Sequence, residues 1–444
     1  MGLDKIRNRI RSINIKSDKV IWILVMLFAM VSVLAIFSSS TFRANSAGVN
    51  KIVFFKRQLT FVLSGLGIML LCYWIPLKLY RILAIAIYAL SLIFLAIAVF
   101  KGEMINGAQR TIHLFGFDFQ VLEFAKLGLI FYLAKAMEKW KDSLDTFKDY
   151  LLKLLLPIAV TCLCVLPNSA SSVVLFGGLS MMILFFMGIN WKYIVITIAA
   201  AAGALFLMVG IYNIAFKNST TPKEEQGSIE KIFNRFGSSE HRIQSFLDDI
   251  KGKTYNPEDM SPEEYAQWVD DNRQSLNAKI AISEGGIIGK GPGKSTSRYS
   301  LSMAFSDFIY AFIVEEYGLL GGIFILFLYG GFLFRGIRIA QKCTTPFTQA
   351  LSLGITWLVA IQAMLHIYVN VRMLPITGHT LPFISHGGTA FLMFSGAAGV
   401  LLSISRKVNL QNEEAAETAA KNTESTETEE ENITEAYEET ESDN

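Results

Sequence analysis

The chain alternates between long apolar segments and shorter polar connections. Each apolar segment is too long for a buried strand, and a bilayer core requires backbone groups to be paired within the segment. The pattern therefore predicts an all-α, polytopic membrane protein with about ten transmembrane helices. The fourth segment is short and carries Glu123 and Lys126, which is unusual for a span. The ten segments are residues 20–38, 58–76, 80–100, 121–137, 150–166, 172–189, 192–215, 308–334, 347–371 and 381–404.

Lysine and arginine are unequally distributed between alternate connections. With the N-terminus inside, the inner connections carry 19 of these residues and the short outer loops carry 7. The positive-inside rule then predicts that both termini are cytoplasmic and that the one large loop, about 216–307, lies outside. The chain divides into a basic N-terminus (1–19), a membrane domain (20–407) and a tail (411–444). The first apolar run lacks an A-x-A site, which favours a retained signal-anchor.

Composition supports this division. The formal net charge of the 444 residues is only +2, but the tail holds 13 acidic residues and one base, so residues 1–410 carry +14. The acidic tail is predicted to be disordered because it cannot bury a core. With 52% apolar and 18% charged residues, the chain is not an ordinary soluble enzyme. No nucleic-acid partner is expected. The four cysteines and five histidines show no zinc-type spacing, so a metal cage built by the protein alone is not expected either.

Polar residues inside or beside apolar segments are the informative ones in a membrane protein. The first group is 106–110 (Asn-Gly-Ala-Gln-Arg), with Arg110 at its end, followed by Glu123 and Lys126. Glu123 and Lys126 are three residues apart, so they share a helix face and can pair. A functional pair and a pair that only holds two helices together are both open interpretations.

A second group, at 285–296, is rich in glycine. It resembles a P-loop, but only three residues separate Gly289 from Gly293, where that motif needs four. The predicted location outside the cell, without ATP, also excludes a nucleotide site. The glycines and Lys290 still suit a phosphate bound through backbone N–H groups and positive charge. A flexible surface turn is the alternative.

Two further groups lie near the last three segments. Asp307 is at the outer mouth of the eighth segment, and Glu315 and Glu316 follow two turns deeper. Helix capping explains Asp307 simply, but two carboxylates in hydrocarbon need partners. Residues 370–389 contain two prolines and three glycines, which predicts a broken or re-entrant helix. Arg372 is a candidate partner for one of the carboxylates or for a substrate phosphate.

These four groups, in this order on ten spans, resemble the SEDS family (shape, elongation, division and sporulation) of membrane glycosyltransferases, which includes FtsW and RodA. The resemblance covers roughly residues 15–407. The most specific matches are 374–388 (LPITGHTLPFISHGG) and 307–318 (DFIYA, then EEYG). The Ser-Asp before the first segment, the serines at 38–40 and the long charged tail look more like FtsW than RodA. Three departures from the family pattern put roles at those positions in doubt, namely Thr111, Asn168 and Met303.

The resemblance implies a peptidoglycan glycosyltransferase in the bacterial inner membrane. The substrate would be lipid II, the undecaprenyl-pyrophosphate-linked disaccharide-pentapeptide, polymerised into glycan strands during cell division. A class B penicillin-binding protein transpeptidase and other divisome proteins are the implied partners. In this chemistry Asp307 is the predicted general base. The leaving pyrophosphate needs cations, and a divalent cation (Mg or Mn) is a candidate cofactor. The predicted substrate-binding residues are Arg110, Glu123, Lys126, Lys290, Arg372, Ser385, Gly387 and Gly388.

Three other functions are weighed against this one. An elongation-type, RodA-like polymerase shares all the site residues. A lipid II flippase also fits broken helices and charges within the membrane, but the polar groups cluster at one face. A non-catalytic division scaffold leaves Asp307 unexplained.

Overall fold

A computed structural model describes residues 17–39, 50–101, 103–105, 108–114, 117–144, 146–215, 261–297, 306–386 and 388–442. Helices account for nearly all of this part of the chain. They are α1 Lys19–Ser39, α2 Lys51–Trp74, α3 Leu77–Lys101, α4 Val121–Trp140, α5 Phe147–Tyr150, α6 Leu156–Val165, α7 Ala170–Phe186, α8 Trp191–Ala215, α9 Pro262–Gly285, α10 Ile309–Gln341, α11 Pro346–Asn370 and α12 Thr389–Ser442. A π-helical turn, Leu151–Leu155, joins α5 to α6.

Each of the ten predicted segments overlaps helical structure, and the all-α membrane class is confirmed. Six helices in the described ranges are long and apolar enough to cross a membrane: Lys19–Ser39, Ile52–Trp74, Leu77–Val99, Ile309–Gln341, Pro346–Asn370 and Thr389–Ala415. The number of ten spans stays a prediction. The tenth segment was wrong at its start, because α12 begins at Thr389 and not at residue 381. Pro382 and the positive backbone angle of Gly388 keep the intervening residues out of a helix.

Two contacts between α1 and α10 lie one bilayer-core thickness apart. Arg335 forms an ion pair with Asp18 at the start of α1, and at the other end Ser38 Oγ donates to Glu316 Oε1 at 2.5 Å. The 20 residues between the two ties on α1 rise about 30 Å, the thickness of a bilayer core. Asp18 and Glu316 are therefore tied to points on α1 that lie about one bilayer-core thickness apart, and the position of Glu315 and Glu316 relative to the hydrocarbon stays a prediction.

Helix α11 is the central element. It packs against α4, α7, α10 and α12, and most of its side chains are buried, including the polar residues Gln362, His366 and Asn370. Other helices expose large apolar side chains, such as Leu71 of α2 and Phe327 of α10. Exposed apolar faces are expected where the surrounding solvent is lipid.

A small sheet precedes α4 and was not predicted from the sequence. Strands β1 (Glu103–Ile105), β2 (Ala108–Leu114) and β3 (Phe117–Gln120) pair antiparallel in that order. In the pairing of β2 with β3, Thr111 lies opposite Gln120. Strand β3 ends at Gln120, and α4 starts at the next residue.

Helix α10 is interrupted at Gly318, whose φ of 70° and ψ of −172° are not helical. The break leaves backbone groups without helical partners, and the Gly-rich segment supplies them. Lys290 N donates to Glu315 O at 2.9 Å, and Leu319 N donates to Gly286 O at 2.9 Å. A Cβ on Gly318 would lie 2.2 Å from Ile287 O, so only glycine allows this approach.

The acidic tail differs from its predicted disorder. Helix α12 continues to Ser442, through residues 411–442. Glutamate and alanine are strong helix formers, and a helix that extends from an anchored segment does not have to be nucleated again. Composition alone does not show that the tail continues a preceding helix. How the chain divides into domains stays a prediction.

Candidate active site

The turn that carries Asp307 is held from two sides. Asn370, the last residue of α11, donates from Nδ2 to Asp307 O at 3.0 Å. Its Oδ1 accepts from Ala311 N at 2.9 Å, so one amide side chain caps the start of α10 from a neighbouring helix. Ser306 Oγ lies 3.0 Å from Asp307 Oδ1 and donates to it. Asp307 itself is half-buried.

Ser385 joins the third and fourth polar groups. Its hydroxyl donates to Ser306 O at 2.7 Å and accepts from Leu381 N at 2.8 Å. Ser385 therefore anchors the segment between α11 and α12 to the residue next to Asp307.

A chain of hydrogen-bonded side chains, all buried except the half-buried His386, supports the same segment. His386 Nδ1 lies 2.9 Å from Gln58 Oε1, and Gln58 Nε2 donates to Ser32 Oγ at 2.9 Å. Ser32 Oγ donates in turn to Ile384 O at 2.8 Å. These bonds fasten α1 and α2 to the segment that carries Ser385.

Glu123 and Lys126 form the predicted ion pair, with Lys126 Nζ 2.8 Å from Glu123 Oε1. Lys126 is fully buried, and it also donates to Gln362 Oε1 of α11 at 2.5 Å. Gln362 Nε2 donates to Glu123 Oε1 at 3.2 Å and to Thr380 O at 3.0 Å. The pair is thus a three-residue cluster that links α4, α11 and the segment before α12.

Several polar atoms around this cluster are buried without a hydrogen-bond partner among the described residues. They include Glu123 Oε2, Thr380 Oγ1 and His366 Nε2. The other ring nitrogen of His366 lies 2.8 Å from His379 O. Native proteins rarely leave such atoms unsatisfied, so the region between α4 and α11 is suited to receive water or polar groups of a substrate. Asn168, at the position of a family carboxylate, also has both amide atoms buried and unsatisfied.

Lys290 lies in an ion cluster beside the break in α10. Its ammonium contacts Glu284, and it lies 2.9 Å from Glu315 Oε1. Although burial by itself disfavours its charged form, hydrogen bonds to Glu284 and Glu315 raise the pKa of Lys290. The hydrogen bond from Lys290 lowers the pKa of Glu284. Glu315 is therefore paired with Lys290, where the sequence suggested Arg372 for one of the two carboxylates.

The phosphate-binding interpretation of the Gly-rich segment depends on available backbone N–H groups. Those of Lys290 and Gly291 donate to the carbonyls of Glu315 and Glu316, each at 2.9 Å, and Gly293 N donates to Glu316 Oε1 at 2.9 Å. The segment fills the break in α10 with these groups. A role for Lys290 in substrate binding stays a prediction.

For the remaining predicted site residues the structure gives mainly the backbone conformation. Arg372 follows α11 with a φ of 57°. This backbone conformation is uncommon for residues other than glycine and is often found at functional sites. Gly388 also has a positive φ, and a Cβ there would lie 3.3 Å from the ring of Phe61. Arg110 lies in β2, with its side chain outside the described part, and Gly387 is outside it altogether.

The structure offers a limited donor set for a metal ion. Within the described ranges, no three His, Cys, Asp or Glu side chains converge to hold one. The protein groups in this part of the chain do not fit a preformed cation cage.

Sequence reasoning missed the polar row on α11. Gln362, His366 and Asn370 are spaced by four residues, so they lie on one helix face, and together they join the Glu123–Lys126 pair to the Asp307 turn. The signal was available as a polar stripe in an otherwise apolar segment.

The fold and the site define a class, a polytopic helical membrane protein whose polar groups gather at one end of the bundle around a carboxylate. Residues 18–410 match the family described as "Cell cycle protein", which comprises FtsW, RodA and SpoVE. The chain belongs to this family.

Known proteins resemble the chain over most of its length. It is 30% identical to the probable peptidoglycan glycosyltransferase FtsW of Bacillus subtilis, covering 86% of this chain and 89% of the relative. It is 28% identical to the protein of the same name from Geobacter sulfurreducens, covering 88% and 95%. A solved chain, described under "Structural coordination of polymerization and crosslinking by a peptidoglycan synthase complex", shares the fold with a TM-score of 0.65 at 22% identity, covering 88% of this chain and 98% of that one. The family and the apolar helices together show a bacterial membrane protein.

Proposed function

We propose that this chain is a peptidoglycan glycosyltransferase that polymerises lipid II into glycan strands during cell division. Membership of the family and the names of the two relatives support the activity. The observation that carries the proposal is the Asp307 turn, held by Asn370 and Ser385 at the end of the bundle where the predicted polar groups meet.

Asp307 acts as the general base in this proposal. Its carboxylate takes the proton of the acceptor sugar hydroxyl as that oxygen attacks the anomeric carbon of the donor. The bond from the anomeric carbon to the pyrophosphate oxygen breaks, and the lipid pyrophosphate leaves. Because the turn is fixed from two sides, the carboxylate stays within reach of the acceptor hydroxyl. A small displacement of the carboxylate would slow the reaction.

The leaving pyrophosphate needs positive charge close to it. Lys126 is the best-placed cation, since it lies on α4 beside the unsatisfied oxygen of Glu123 and is joined to the Asp307 turn by the polar row on α11. Gln362 and Asn370 are eight residues apart, about 12 Å along the helix, which suits a bound disaccharide pyrophosphate. Arg110, Arg372 and Lys290 are the further cations that we propose around the leaving group.

A divalent cation fits this site best as a companion of the substrate. Magnesium usually combines one or two carboxylates with substrate phosphates and water. We propose that such a cation takes most of its ligands from the pyrophosphate, and the mechanism assigns no step to it.

A lipid II flippase is the second candidate, because buried polar groups on α11 extend two turns inward from Asn370. Beyond Gln362 the buried polar residues of α11 are the hydroxyl residues Thr356, Ser352 and Thr348, and their hydroxyls donate to backbone carbonyls. This part of α11 therefore carries no charged group for a transport path. The arrangement favours chemistry at one surface.

The orientation of the chain in the inner membrane and its protein partner are also proposals. The charge distribution supports cytoplasmic termini in the inner membrane, with residues 216–307 outside. A class B penicillin-binding protein is the proposed partner, in line with the coupled polymerisation and crosslinking described for the similar solved chain.

Single-cysteine variants test the orientation. Those at 220–300 should be labelled from outside intact cells, and those at 411–444 only after lysis. Labelling of the tail in intact cells contradicts this orientation.

The activity is tested with purified protein and lipid II. We expect glycan strands from the wild type and none above background from Asp307→Asn. A flippase instead predicts no strands from either protein, with transport of labelled lipid II in vesicles that does not depend on Asp307. That result would overturn the proposed function.

A further inference from the structure

A polar cavity of about 570 Å³ opens at the end of α1 and α10 that is opposite to the Asp307 turn. The first residues of α1, the last turns of α10 and residues 405–413 of α12 line it. None of the predicted catalytic or substrate-binding residues contributes to the lining.

The floor of the cavity is rigid. Asp18 is buried and pairs through Oδ2 with the guanidinium of Arg335, whose Nε lies 2.8 Å away. Asp18 Oδ1 accepts from Val20 N at 2.9 Å and so caps α1, while Asp18 N donates to Ser405 Oγ at 2.9 Å. Three helices are thus fixed around the cavity before any ligand binds.

The rim carries an excess of positive charge, since Glu413 is its one acidic residue outside the Asp18–Arg335 pair. Lys19, Arg338 and Lys342 line the cavity and are exposed, and none forms an ion pair with another described residue. Two cations of the other predicted inner connections do have carboxylate partners: Arg81 contacts Glu138, and Lys153 contacts Asp149. Three cations against one carboxylate around a preformed cavity favour a phosphate-bearing ligand.

The position of the cavity identifies the source of that phosphate. It surrounds the start of α1, where the bilayer core ends, so its cations lie at the level of lipid headgroups. Ile23 of α1 and Phe334 of α10 lie about one turn deeper and are 57% and 55% exposed. A ligand held here would place its phosphate among the cations and its acyl chains on these side chains.

We propose that this cavity binds the phosphodiester headgroup of an anionic phospholipid. Basic pockets between transmembrane helices are known to suit such headgroups. Anionic headgroups lie at both bilayer surfaces, and the orientation proposed above assigns the site to the cytoplasmic leaflet. Lipid binding here does not depend on the glycosyltransferase activity.

The test uses the full chain reconstituted in vesicles of equal phosphatidylglycerol and phosphatidylcholine, followed by native mass spectrometry of the retained lipid. The double variant Arg338→Gln/Lys342→Gln removes two rim charges and leaves the Asp18–Arg335 pair intact. The matched control, Lys148→Gln/Lys192→Gln, removes two exposed charges from the same face outside the cavity. Thermal stability of each protein confirms folding.

We expect the wild type and the control to retain phosphatidylglycerol preferentially, and the rim variant to bind it roughly tenfold more weakly. Equal retention by all three proteins overturns the proposal. Displacement of the lipid by glycerol phosphate at the same concentration overturns it as well, because the site would then recognise a soluble phosphate. Deleting residues 414–444 should leave retention unchanged; a large increase would show that the acidic tail is the resident occupant.

Discussion

The side chain of Asn370 holds the backbone of Asp307. Its amide donates to Asp307 O and accepts from Ala311 N, so the last residue of α11 determines where α10 begins. The Asp307 carboxylate is therefore placed by a residue more than 60 positions away in the sequence. This relationship makes Asn370 a positioning residue in the proposed reaction.

Replacing Asn370 with Ala removes these two hydrogen bonds and a third, from Nδ2 to His366 O at 2.8 Å. We expect a stability loss of about 1–3 kcal/mol and a fall in polymerisation of about 10²-fold, because a misplaced base is a poor catalyst. Asn190→Ala is the control, since Asn190 also caps a helix by accepting from Lys192 N at 3.1 Å. Thermal stability and the rate of lipid II consumption are measured on both. Equal activity of the two variants at equal stability contradicts the positioning role.

Asp307→Asn keeps the size of the side chain and an acceptor for Ser306. Polymerisation should fall by about 10²–10⁴-fold, the usual effect of losing a general base, with little change in thermal stability. Asp149→Asn provides the same chemical change at a site away from the proposed reaction. A folded Asp307→Asn protein with full activity removes this residue from the mechanism.

Lys126 and Glu123 provide a test that separates structure from function. Lys126→Met alone leaves a buried carboxylate without its cation and should cost about 3–5 kcal/mol. The double variant Lys126→Met/Glu123→Gln removes both charges and should regain much of that stability. If Lys126 binds the pyrophosphate, activity stays low in the double variant. Recovery of activity together with stability would show that the pair only joins α4 to α11.

The break in α10 predicts the effect of adding a methyl group. Gly318→Ala should destabilise the protein by more than about 1 kcal/mol, because its φ is positive and the new Cβ meets Ile287 O. Gly330→Ala on the same helix is the control. No atom lies within 4 Å of its Cβ position, so it should stabilise the helix by about 0.5–1 kcal/mol. Thermal unfolding in detergent compares the two, and a neutral Gly318→Ala contradicts the packing described.

The Lys290 cluster predicts a dependence on pH. The pKa of Glu284 is lowered, so its contribution is present above the unfolded value of about 4.3 and is lost as pH falls through the lower folded value. The pKa of Lys290 is raised, so its contribution holds below about 10.4 and is lost as pH rises through the higher folded value. Proteolysis of residues 285–297 across pH should therefore show protection at neutral pH that declines at both ends. In Glu284→Gln the acid decline should shrink; an unchanged profile contradicts the assignment.

The sequence predicted the all-α membrane class because a bilayer imposes one simple rule on long apolar segments. It also predicted the Glu123–Lys126 pair, since spacing within a helix is local information. The start of α12 was wrong because apolarity continues from residue 381 while Pro382 and Gly388 prevent a helix. The tail illustrates the converse, since composition indicated disorder and the structure continues a helix through it.

Contacts between residues that are distant in the sequence could not be predicted from it. Nothing local to Lys290 shows that its N–H group fills a break in α10, and nothing local to Asn370 shows that it caps a different helix. Such contacts depend on tertiary packing, which periodicity does not encode. The sheet between α3 and α4 was missed because its strands are short and lie beside long, strongly apolar helices.

The direct junction between β3 and α4 couples two parts of the molecule mechanically. Thr389 Oγ1 donates to Asp118 O at 2.8 Å and accepts from Gln120 N at 2.9 Å, so the first residue of α12 clamps the last strand just before α4 begins. Since no residue separates the strand from the helix, the position of β3 determines where α4 begins. Lys126 lies one and a half turns along that helix. The sheet and the buried ammonium of Lys126 thus belong to one continuous unit of structure.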